Sequence, residues 1–117
     1  MRLWRISLIS RQTQLACVLG SLVAVSCAAV RNPALERAHE AYQQARQDPL
    51  IVKKAGAALE RAEQALRAAD RLWAEEHDVA EVEHLAYITE KKVEIARVTA
   101  QRRLIADEIE RSQSARQ

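Results

Sequence analysis

Between residues 52 and 73, large and small apolar residues recur with a seven-residue period. Val52, Leu59, Leu66 and Trp73 are the large members, and Ala55, Ala62 and Ala69 stand between them. This is the a/d spacing of a helix packed along another helix. A matching stripe follows on a helix opened by Asp78: Val82, Leu85, Ala86, Val93, Ala96, Ala100 and Leu104. A chain reversal at His77 pairs the stripes level by level. Trp73 falls by Val82, Ala69 by Leu85 and Ala86, and Leu66 by Thr89. Ala62 then meets Val93, Leu59 meets Ala96, Ala55 meets Ala100 and Val52 meets Leu104. Large residues mostly face small ones, as close packing requires. The pattern predicts an all-α fold, an antiparallel, coiled-coil-like helical hairpin.

A shorter helix precedes the hairpin. Asn32 is a good N-cap and Pro33 a good first helical residue. Leu35, Ala38, Ala41, Tyr42 and Ala45 give that helix one apolar stripe. Asp48 and Pro49 repeat the cap-then-proline signal and open the next helix. The signals place helices at about 33–47, 50–76 and 79–111, in a helical domain of 33–113 with a frayed tail at 114–117. Gly56 is the weak point of the middle helix, costing about 1 kcal/mol; it marks a close approach by the first helix or, as expected here, is simply tolerated. The third helix carries another stripe opposite its hairpin face: Tyr87, Ile88, Ile95, Val98, Ile105 and Ile109. The first helix, folded back, is expected to cover the part from Ile95 to Ile105. Tyr87, Ile88 and Ile109 lie beyond its reach. Those positions are either ordinary exposed apolar residues or a contact for another chain, most simply a second copy, and the stripe supplies the candidate contact residues.

Residues 1–14 hold Arg2, Arg5 and Arg11 and no acid, and 15–25 are apolar except for Gly20 and Ser21. A basic segment followed by an apolar one of this length reads as a secretory signal. It falls short of the roughly 20 apolar residues a spanning helix needs. The segment ends Ala24-Val25-Ser26-Cys27, which resembles the bacterial lipobox, with alanine where leucine is commonest. The resemblance implies removal of residues 1–26, acyl chains on Cys27 and a short tether, 27–32. Several acyl chains anchor a protein stably. The alternatives are an uncleaved anchor, or cleavage after a small residue such as Ala29. Cys17 is a poor second choice because Gln14 takes its aliphatic position. Both cysteines lie in this leader region, which leaves the domain no internal disulfide. Ala28 after the cysteine is similar to lipoproteins sorted to the outer membrane, held in its inner leaflet and facing the periplasm.

Net charge changes the picture once the leader is set aside. The whole chain carries 18 Lys/Arg against 16 Asp/Glu. From Cys27 onward the balance is close to neutral and the signs are mixed, with no case for nucleic acid. The basic run Arg97, Arg102, Arg103 is interrupted by Asp107 and Glu108 and reads as solvated surface. Two Glu-x-x-His pairs, Glu36 with His39 and Glu81 with His84, match the spacing used in di-iron helical bundles. If the first helix lies along the second, Glu36 falls level with about Glu94, and His84 is about 15 Å away along the axis. These four residues are weak metal candidates, and no metal or cofactor is expected. His77 at a helix C-terminus is accounted for by the helix dipole. The sequence has no glycine-rich phosphate loop and no nucleophile beside a base, so no enzyme is expected.

The stretches 34–49 (ALERAHEAYQQARQDP), 55–72 (AGAALERAEQALRAADRL) with Trp73, and 81–96 (EVEHLAYITEKKVEIA) together resemble an uncharacterised bacterial family, a domain of unknown function often found just ahead of OmpA-like peptidoglycan-binding domains in envelope lipoproteins. EVEHLAYI is the most specific part. The resemblance spans about residues 32–110 and implies helical structure and an envelope location, with no catalytic residues. The sequence stops at Gln117 without an OmpA-like domain, so cell-wall binding is not carried over. The expected function is a lipid-anchored periplasmic helical module with a non-enzymatic scaffold or adaptor role. A lipid- or ligand-handling helical protein is the alternative, and a metal-binding bundle the remotest reading.

Overall fold

The computed structural model describes residues 30–117. The segment 1–29, with Cys17, Cys27 and the lipobox resemblance, lies outside the described residues. Three helices follow in order: α1 (Pro33–Gln47), α2 (Pro49–Glu75) and α3 (Val79–Ser114). No strand occurs among the described residues. Each helix begins on a capping side chain. Asn32 Oδ1 accepts from the Ala34 and Leu35 amides at 3.0 and 3.1 Å, Asp48 Oδ1 from Leu50 at 2.9 Å, and Asp78 Oδ1 from Glu81 at 3.1 Å. These bonds satisfy amides that have no partner within the first turn. Proline at the start of α1 and α2 loses nothing there, since its missing N–H is one of those orphans.

The α2/α3 seam is an antiparallel hairpin. Leu59, Ala62, Leu66 and Ala69 of α2 are buried, as are Val82, Ala86, Thr89, Val93, Ala96 and Ala100 of α3. Thr89 is the polar member, and its hydroxyl donates to the Leu85 carbonyl one turn back at 2.9 Å. That bond removes the penalty of a buried unpaired hydroxyl. α1 folds back over this pair and closes a three-helix core with Ala34, Leu35, Ala38, Tyr42 and Ala45. It runs antiparallel to α2, joined to it by His39 Nε2 and Asp70 Oδ1 at 2.7 Å. It runs beside α3 in the same direction, with Arg37 Nε 3.9 Å from Glu90.

Two parts of the sequence expectation fail. Val52 and Leu104 do not form the last rung: they are 49% and 39% exposed, and Ile51 is buried instead. A strict seven-residue seam stays in register only on an underwound helix, and a straight helix drifts by about 20° per heptad. The backbone also leaves helical geometry at Ala55 (φ −136°, ψ 29°), so the first turn of α2 takes a different phase. Nor does α1 cover the stripe from Ile95 to Ile105, since Ile95, Val98 and Ile105 stay exposed. The reason is directional. α1 docks on the core side of α3, while the stripe from Ile95 onward occupies the opposite face; against expectation α1 does reach the level of Tyr87, which shares a shallow hollow with its Ala34 and Arg37. The third helix also runs past Arg111 to Ser114, its Ser112 and Ser114 hydroxyls donating to the carbonyls of Ile109 and Glu110.

The hairpin turns on His77, whose φ of 53° lies in the left-handed region. Its amide and that of Glu76 both point to the Leu72 carbonyl, and its ring rests 5.2 Å from the Trp73 ring centre. Histidine is among the residues that tolerate left-handed geometry, whereas a β-branched residue is strained there. His77→Val should therefore lower unfolding stability by about 1–2 kcal/mol in thermal melts, with His77→Gly much closer to the native chain. Gly56 is a different case: nothing lies within 4 Å of where a Cβ would sit, and its φ is not positive. Gly56→Ala should raise stability by about 0.4–1 kcal/mol in denaturant titration, by restricting the unfolded chain and favouring helix.

Candidate functional site

At about 100° per residue, the buried positions of α3 share one side of the helix. Tyr87, Ile88, Ile95, Val98, Ile105 and Ile109 fall within an arc of about 100° on the other. Tyr87, Ile95, Val98, Ile105 and Ile109 are exposed and Ile88 is half-buried. Helix α3 is thus apolar on two faces, and the described residues cover only one. The helix also outlasts its partner. With 36 residues against 27, it is about 54 Å long beside about 40 Å for α2.

The stripe keeps a seven-residue order, in which Ile88, Ile95, Arg102 and Ile109 take one seam position and Lys91, Val98, Ile105 and Ser112 the other. Sequence reasoning found the apolar members, missed Lys91 and read Arg102 as solvated surface, although both cations stand in line with them. A shallow hollow over the middle of the stripe is lined by Lys91, Glu94, Ile95, Val98, Thr99 and Arg102. Lys91 Nζ is 3.0 Å from Glu94 Oε2 and 5.6 Å from the centre of the Tyr87 ring. The Glu94 hydrogen bond, then its charge, holds the Lys91 ammonium above its ordinary pKa. This surface can bury apolar area and match charges.

The four metal candidates are dispersed into other roles. Glu36 lies 3.6 Å from Arg31, His39 bonds Asp70 of α2, Glu81 offers its amide to Asp78, and His84 is exposed. Among the described residues no three His, Cys, Asp or Glu side chains gather. No described helix is long and apolar enough to cross a membrane.

A polar clasp that the hydrophobic pattern did not reveal closes the open end of the hairpin. Lys54 donates to Asp107, and Arg103 Nη1 donates to the Lys54 carbonyl at 2.5 Å, next to the irregular Ala55. The available signal was Asp107 itself, seven residues beyond Ala100 and so in line with the core stripe. Hydrogen bonding from Lys54, aided by its charge, holds the Asp107 carboxyl below the ordinary aspartate range. A depressed carboxylate pKa adds stability that is present above its unfolded value and disappears as pH falls through the folded one. The stability gap between the native chain and Asp107→Asn should hold at neutral pH. It should close on acidification below about pH 3.9, the ordinary aspartate value, in melts recorded across that range.

Beyond this geometry, the sequence model of the family described as Domain of unknown function (DUF4398) matches residues 33–112. No curated protein and no solved structure matches the chain.

Proposed function

We propose that the chain, which belongs to the DUF4398 family, is a lipid-anchored, non-enzymatic module of the bacterial envelope that docks a protein partner through α3. The observation that carries this reading is the second apolar face of α3, with Ile95, Val98, Ile105 and Ile109 exposed opposite a closed three-helix core. An apolar row of this length on one helix is what partner surfaces use. Docking is favoured over storage of a lipid or ligand because the row follows the outside of a single helix, its hollow open to solvent.

The anchor rests on the leader. A basic segment, an apolar segment and the run Ala24-Val25-Ser26-Cys27 stand just ahead of Asn32, the cap of α1. Acylation at Cys27 would hold α1 within a few residues of a membrane, on the periplasmic side of the outer membrane by the sorting resemblance at Ala28. Nothing in this role calls for a catalytic group or a cofactor.

Labelled palmitate and membrane fractionation test the anchor. Native chain should take up label and sediment with membranes, and Cys27→Ser should lose both. A variant that stays membrane-bound, beside a native chain that takes no label, would establish an uncleaved leader and overturn the lipoprotein reading.

A further inference from the structure

From the seam order on the outer face of α3 we infer that its occupant is a second copy of this chain, packed antiparallel, α3 against α3. The inference rests on the docking reading above and names its partner. Both seam positions recur over three heptads, Ile88 to Ile109 in one row and Lys91 to Ser112 in the other. Such a double row is the signature of a coiled-coil contact, where seam residues of one helix fill gaps between those of another.

Charge selects the direction. A parallel, in-register pair would set Lys91 against Lys91 and Arg102 against Arg102 within an apolar seam, at a cost on both rungs. The antiparallel register centred between Val98 and Arg102 avoids this. It places Ile95 opposite Ile105 of the second copy, Val98 opposite Arg102, Lys91 opposite Ile109 and Ile88 opposite Ser112, each rung repeated by two-fold symmetry. Lys91 then falls beside Glu108 of the other helix, and Arg102 reaches within one turn of Glu94. Glu94 already stands at the seam edge, held by Lys91 at 3.0 Å. Sliding by one heptad either faces Lys91 with Arg102 or leaves Ile88 uncovered. One register thus covers the apolar rungs and brings an acid within a turn of each seam cation.

The unpaired length of α3 fits this arrangement. Ile105 and Ile109 lie beside the start of α2, near the Lys54–Asp107 contact, and are among the most exposed apolar residues described. In the antiparallel pair they lie against Ile95 and Lys91 of the second copy, where that copy's own three-helix core backs the contact.

Full-length chains in membranes, carrying two different tags, test the inference. One copy carries Ile88→Cys and the other Ser112→Cys, and each is read against the chain holding only its own cysteines. The expected product is a disulfide joining the two tags, because those positions face each other within disulfide reach. Ser112→Cys on both copies should give none, their positions lying about 36 Å apart. Arg102→Glu should cut the cross-tag product at least five-fold, and adding Glu94→Arg should restore most of it. A disulfide between two Ser112→Cys copies would overturn the antiparallel pair. A photo-crosslinker at Val98 separates the two readings when no self-link forms. Capture of a different protein overturns the second copy while the docking role stands, and capture of nothing overturns both.

Discussion

Close approach of α2 to α3 depends on a row of alanines. Ala62 and Ala69 on one helix, and Ala86, Ala96 and Ala100 on the other, are wholly buried. A methyl at these places lets the backbones come near enough for Leu59, Leu66, Val82 and Val93 to fill what remains. With only four aromatic residues in the chain, no single large side chain anchors the core. Cohesion is spread over many small contacts, each worth little alone. α1 uses the same device, burying Ala38 and Ala45 completely where it meets the hairpin. The caps on Asn32, Asp48 and Asp78 then fix where each helix starts, so the rows meet in register.

Much of this fold was legible because alanine-rich helices announce their faces through spacing alone. The caps were legible for a local reason, since a cap residue acts on amides two or three places ahead. What escaped was set by tertiary geometry. Ile51 and Val52 are adjacent and both apolar, and only the bend at Ala55 and the drift of a straight helix decide which turns inward. The path of α1 escaped for a similar reason. Its stripe shows that it must be buried, but not which side of α3 will bury it. The positive φ of His77 was hidden because histidine gives no glycine-like signal.

The candidate docking face was readable residue by residue, and its exposure was not. A second apolar row on a helix is ambiguous until the remaining helices are placed, and here the expected cover went elsewhere. The seam places of Lys91 and Arg102 went unrecognised, Arg102 being read as solvated surface, because apolar periodicity passes over cations. Asp107 was overlooked in the same way on the core side. In both places a charged residue in line with an apolar row marks where register, more than burial, is being specified.

The direction of α1 has a mechanical consequence. Its start lies toward the turn that joins α2 to α3, whereas α3 ends at the opposite extremity of the bundle. A pull applied between Asn32 and the end of α3 therefore runs along the helix axes and slides rows of side chains past one another. Load of that kind falls on every rung at once, unlike a sideways tug that peels rungs apart singly. Force transmitted along this molecule would meet a stiff strut, and force across it a zipper.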